Sequence, residues 1–198
     1  MPVTTLQNQG IPTGGGNIAA ILQPKVKWKF RVITTNFGVS GSNITLTQQV
    51  ATVGRPKVGF EAQVVDSYNS RAYFEGKATW ETIELVVRDD VTNAVSSLVG
   101  AQLQKQMNFF QQTTPLSGSN YKFQMLIDTL DGGDDTVLEE WFLEGCFLTD
   151  VSYDEYDYSA NEGMKITMTV RYDNATQTGG IMPLTPQFTG IIDGGAIA

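Results

Sequence analysis

DGGDDTVLEEWFLEGCFLTDVSYDEYDYSANEGMKITMTVRYDNA, residues Asp131 to Ala175, is the stretch on which the fold turns. Within it, GMKITMTVRYD alternates: Met164, Ile166, Met168 and Val170 fall on one side, and Lys165, Thr167, Thr169 and Arg171 on the other. That is the period of a half-buried strand. TVLEEWFLEGCFLTD is apolar and aromatic enough for another strand. With the preceding YKFQMLIDTL it makes a hairpin in which Tyr121, Phe123, Met125 and Ile127 share a face. Gly132 and Gly133 supply the positive φ that the turn needs.

Upstream the period stays near two. VKWKFRVITTNF from Val26, NITLTQQVAT from Asn43, KVGFEAQVV from Lys57 and ATWETIELVVRDD all read as strands, punctuated by Gly38, Gly41, Gly54 and Pro56. Ile83, Leu85 and Val87 face one way, Thr82, Glu84 and Val86 the other. The period then changes. From Asp89 or Asp90, a favourable N-cap, Val91, Val95, Leu98, Val99, Leu103, Met107 and Phe110 fall at helical spacing, which predicts one helix over about 90–111. Gly100 in its middle implies close packing there. Strands, one helix, then strands predict a mainly β protein: an antiparallel β-sandwich or half-barrel with one packed α-helix. Residues 1–24 and 176–198 are glycine-rich arms flanking a domain at 25–175.

Of the 198 residues, 41% are hydrophobic and only 17% charged, below the roughly 25% of ordinary soluble domains, so much of the surface suits cover by partners. A net charge of −8 argues against a protein that grips phosphate. Lys25, Lys27 and Lys29 alternate with Val26, Trp28 and Phe30 and read as a solvated strand face. Met1 to Ala20 lacks the basic start and apolar core of a signal peptide, and no apolar run is long enough for a membrane anchor. The expectation is a soluble chain made in the cytoplasm. Cys146, the single cysteine, sits in an apolar run and reads as a small core residue.

No histidine occurs, which removes the Ser-His, Cys-His and His-metal constellations. No phosphate-cradling glycine loop is present either. Asp128, Asp131, Asp134 and Asp135 lack the spacing of an EF-hand and read as a solvated turn. Glu139, Glu140 and Glu144 could pair as in glycoside hydrolysis, but ordinary exposed strand positions explain them. The chain is therefore expected to have no catalytic residue, no metal site and no cofactor. Tyr153, Tyr156 and Tyr158 with Trp141 could stack on a sugar, or line a protein interface where one end is apolar and the other wet.

The order TWETIELVVRDD and helix, then LIDTLDGGDDTVLEEWFLEG, then VSYDEYDYSANEGMKITMTVRYDNA resembles the tail tube proteins of contractile-tailed phages and the related tubes of tailocins and contractile injection systems. The likeness covers about residues 26–175 and rests on Ile83–Asp90 entering the helix, Trp141–Gly145 in the hairpin, and Tyr158 with Ile166–Ala175 at the end. Leu148 is a departure, since family members commonly carry proline near this point.

The resemblance implies a structural virion protein of the phage tail. Its subunits would close into hexameric rings around one shared inner β-barrel, and the rings would stack into a tube that conducts DNA to the host. Implied partners are further copies of itself and sheath, baseplate and terminator proteins. Six copies at −8 sum to about −48 per ring, a wall along which DNA slides without tight binding. Thr45, Thr47, Gln49, Thr167, Thr169 and Arg171 are the lumen-facing candidates, because a wet channel needs polar side chains at alternate positions. Tyr153, Asp154, Glu155, Tyr156, Asp157 and Tyr158 are the candidate subunit or sheath interface, and the arms are expected to order against a neighbouring ring. The alternatives are a ring-only component (tube initiator or terminator) and a monomeric carbohydrate-binding β-sandwich.

Overall fold

The computed structural model describes residues 25–39, 44–131 and 137–178. The expected arm at 1–24, residues 179–198 of the arm expected at 176–198, and the turn residues Gly132, Gly133, Asp134 and Asp135 lie outside them. The elements run β1 (Phe30–Thr35), α1 (Ile44–Gln49), β2 (Val50–Val53), β3 (Val58–Ser67), β4 (Ser70–Trp80), β5 (Ile83–Arg88), α2 (Ala94–Gln106), β6 (Phe123–Leu130), β7 (Val137–Tyr153), β8 (Lys165–Arg171) and β9 (Asn174–Thr178). All pairings between these strands are antiparallel. β9 carries strand pairing to Thr178, past the expected edge of the domain at residue 175.

Seven strands form one sheet in the order β1-β6-β7-β8-β5-β2, with β9 also beside β7. β7 is its pivot. Its first half pairs with β6 (Ile127 opposite Trp141) and with β9 (Leu143 opposite Ala175), while its second half pairs with β8 (Leu148 opposite Val170). The exchange of partners occurs at Gly145, whose φ of 65° lies in the left-handed region that favours glycine. A Cβ there would meet the carboxyl carbon of Asp173 at 2.7 Å. The bend lets both halves of the sheet contribute to one core. Val32, Phe123, Met125 and Leu143 come from one half, and Leu85, Val87, Met168 and Val170 from the other. Alternation along β5, β6 and β8 thus buries the residues it marked, and Cys146 is fully buried among them.

Three sequence expectations are corrected. NITLTQQVAT does not form a strand throughout: Ile44–Gln49 is a short helix. Leu46 and Val50, four residues apart, both reach the core, a spacing a helical turn satisfies. The helix expected over 90–111 is shorter, Ala94–Gln106, and a chain reversal bridged by Asn108 and Thr113 follows it. Val95, Val99 and Gln102 form its buried stripe, whereas Val91 and Phe110 are fully exposed outside it. Asp90 does act at its start, since its Oδ1 accepts a hydrogen bond from the Ala94 N–H at 3.0 Å. Gly100 faces open space, so close packing is not why it is there.

Gln102 explains how a helix with little apolar surface stays in place. Its Oε1 accepts from the Gly38 N–H at 2.9 Å, and its Nε2 donates to the Tyr121 carbonyl at 2.7 Å. Fully buried and bonded at both ends, it ties the loop after β1 to the segment before β6. Phe37 and Phe123 meet edge to face beside it, ring centroids 4.9 Å apart.

Candidate interaction surfaces

β3 and β4 form a separate two-stranded sheet. A hairpin standing alone is marginal in water, yet this one has apolar residues on both faces. Val64 opposite Tyr73 marks one face, and Val65 and Phe74 mark the other. All four are exposed, as are Phe60 near the base and Tyr68 at the tip. A bulge between Phe60 and Ala62 sits against Gly76, where a Cβ would come within 3.2 Å of the Glu61 carbonyl carbon, so only glycine allows this approach. The base is fastened by the Glu81 N–H bonding to the Lys57 carbonyl at 2.9 Å, by a Lys57–Glu81 ion pair at 2.8 Å, and by Trp80 lying 5.7 Å from the Tyr172 ring. Sequence reasoning read β3 as a strand but missed the protruding hairpin. The available signal was its apolar content on both faces together with polar turn residues at 66–70.

The second surface is built around Glu139. Expected as an exposed strand position, Glu139 is 4% exposed, and this is a correction. Lys25 Nζ donates to its Oε2 at 2.6 Å, Trp141 Nε1 to its Oε1 at 2.7 Å, and Arg55 also bonds Oε1. Burial pushes the carboxyl pKa up, but the three donors together outweigh it and hold it at about 2. Lys25 is therefore an ion-pair partner and not part of a merely solvated face. Asp128, expected in a solvated turn, is likewise buried within β6, where both Nε and Nη2 of Arg31 donate to its Oδ2 at 3.0 and 2.8 Å. A groove of about 610 Å³ opens beside Glu139, with Val26, Phe30, Val53 and Ile127 among its apolar walls and Lys25, Lys27, Lys29 and Arg55 along it. Trp28, also part of its lining, is 74% exposed.

The third surface follows β7. From Asp150 to Glu162 the chain holds five acids and no base. Tyr153 is half-exposed, Tyr156 is 90% exposed and Tyr158 fully so. Asp154 Oδ2 accepts from the Lys165 N–H at 3.0 Å, and Asp157 accepts from the Ser159 N–H at 2.9 Å, which with the Ser159 hydroxyl lowers its pKa. Trp141 sits at the other end of β7 against Glu139, so the four aromatics do not converge on a sugar platform.

The lumen candidates separate. Thr167, Thr169 and Arg171 lie on β8, half-buried, on the face turned from the core. Glu84 is opposite Thr169 across β5, and Ser152 and Asp150 are opposite Thr167 and Thr169 across β7. Thr45, Thr47 and Gln49 instead belong to α1, which removes the strand alternation on which they were chosen. Among the described residues no group of His, Cys, Asp and Glu is arranged to hold a metal, and no helix is long and apolar enough to cross a membrane. Burial raises the Cys146 thiol pKa to about 12, which leaves it a poor nucleophile.

The same architecture is found in tail tubes and their relatives. The chain is 14% identical to the tube-terminating cap of the anti-feeding prophage, with a TM-score of 0.62 over 84% of this chain and 98% of that one. It is 12% identical to a chain of the sheath–tube complex of the extracellular contractile injection system PVC, in its extended state, with a TM-score of 0.59 over 81% of this chain and 95% of that one. Against the SPP1 tail tube the identity is 10% and the TM-score 0.51, over 80% and 81% of the two chains. No protein-family model and no curated protein sequence matches. The chain therefore has a tail-tube-like fold, as its sequence motifs implied.

Proposed function

We propose that this protein is a non-enzymatic structural subunit of a tail, forming hexameric rings that stack into an inner tube through which DNA passes. The observation that carries this reading is the β3–β4 hairpin, apolar on both faces and exposed on a tube-like fold. Such a hairpin becomes stable when neighbouring subunits cover it, and a heterologous contact of that kind closes into a ring or runs on as a filament. The polar outer face of β8, with Thr167, Thr169 and Arg171, lines the lumen in this reading, and sheath, baseplate and terminator proteins complete the tail. Tyr153, Asp154, Glu155, Tyr156, Asp157 and Tyr158 belong to an outer contact surface. The virion is then the protein's destination.

Negative-stain electron microscopy of the purified chain, beside its sedimentation profile over a range of concentrations, tests the reading. Hollow six-fold rings or tubes are expected, together with loss of association in Val64→Asp/Phe74→Asp while the monomer keeps its circular dichroism. A wild-type chain that stays monomeric at every concentration sinks it. The similarity to a tube-terminating cap over 98% of that chain favours a second reading, a ring that does not elongate. Single rings without tubes would select it. For the lumen, retention of duplex DNA by assembled tubes at low salt would refute a wall that lets DNA slide.

A further inference from the structure

We infer that the groove beside Glu139 is a receptor for the acidic tyrosine segment that follows β7 in a second copy of this chain. The inference rests on the ring reading above and names the surfaces that join head to tail. The groove has apolar walls at Val26, Phe30 and Val53 and a cationic border at Lys25, Lys27 and Lys29. Glu139 already occupies Lys25 and Arg55, whereas no described residue forms an ion pair with Lys27, which is exposed. That combination fits a ligand with an aromatic ring between carboxylates. Residues 154–157 read Asp-Glu-Tyr-Asp, and Tyr156 is 90% exposed with a carboxylate on either side. The ring suits the apolar walls, its hydroxyl suits the wet mouth, and Glu155 suits Lys27, since Lys25 is held by Glu139, Lys29 by the Asp131 carbonyl and Asp157 by Ser159.

The placement of the two patches accounts for a second copy as the occupant. The groove lies where β7 begins, beside Glu139, and the acidic segment starts where β7 ends, at Tyr153. The 17 residues of that strand span on the order of 50 Å along their path. Within one chain Tyr156 and Trp28 both remain in solvent, so the segment does not fill its own groove. A basic mouth at one end and an acidic peg at the other let one copy receive the next head to tail, the arrangement that generates rings.

Charge exchange on the full-length protein tests the pairing. Lys27→Glu and Glu155→Lys are chosen because neither side chain makes an ion pair among the described residues. Each alone is expected to raise the concentration for half-association about tenfold, and the chain carrying both to return within about threefold of wild type. Raising salt should weaken wild-type association in parallel. If both single variants associate like wild type, or the combined chain is no better than either, the pairing is wrong while the ring reading stands. A wild-type chain that never associates overturns both. A benzophenone amino acid at position 28 reports the occupant directly: cross-links to residues 153–158 of another chain support the inference, and cross-links to residues 1–24 or 179–198 overturn it.

Discussion

Gln106 and Leu148 exchange two hydrogen bonds: the Gln106 Nε2 donates to the Leu148 carbonyl at 2.8 Å, and the Leu148 N–H donates to Gln106 Oε1 at 2.9 Å. The last residue of α2 thereby stands in for a strand neighbour just beyond the bend of β7. A proline at position 148 would have no N–H and could not make the second bond. Gln106→Ala leaves both backbone groups of a buried residue unpaired and should cost about 2 kcal/mol in urea unfolding. Gln106→Glu keeps the acceptor but sets a carboxylate oxygen against the Leu148 carbonyl, so it should not recover wild-type stability.

Glu139 makes stability acid-sensitive. Its folded pKa is about 2 against 4.5 ordinarily, so its contribution is complete above about pH 4.5 and is lost as pH falls toward 2. The shift corresponds to about 1–3 kcal/mol, after allowance for the exposure of Lys25 and Arg55. Glu139→Gln should be less stable at neutral pH and lose less between pH 6 and 2. Parallel pH profiles of wild type and variant would refute this.

Gly145→Ala tests the bend. The left-handed φ costs the new side chain about 1–2 kcal/mol, and its Cβ also displaces Asp173 from Lys122, to which it is bonded at 2.5 Å. Thermal unfolding should show Gly145→Ala/Asp173→Ala recovering the clash but not the backbone strain. Full recovery would mean that the positive φ is not needed.

Much of the sandwich was legible because its strands are half-buried, and half-burial writes itself as alternation: Ile83, Leu85 and Val87, or Ile166, Met168 and Val170. Where burial and period part company, the reading failed. Leu46 reaches the core from a short helix whose sequence also alternates. Asp128 and Glu139 are buried, and their charges are met by Arg31, Lys25 and Arg55, which are distant in sequence and close only after folding. The β3–β4 hairpin was missed for another reason: its apolar residues have no core to face within one chain. The tyrosine segment is legible as a surface through its density of acids and rings, while the groove assembles from four separated stretches, 25–30, 51–55, 127–129 and Glu139, that no local pattern joins.

The pairing of β1 with β6 joins residues far apart along the chain, as in Arg31 and Asp128, separated by 97 positions. β6, β7, β8 and β9, by contrast, follow one another closely and pair among themselves. On a ribosome adding about 5–20 residues per second, β1 emerges some 5–20 seconds before the strand that receives it. Through that interval it is an open edge, able to pair with any other nascent chain. Vectorial synthesis thus leaves the first strand waiting longest, and β1 is where a holding chaperone would do most to keep newborn chains apart.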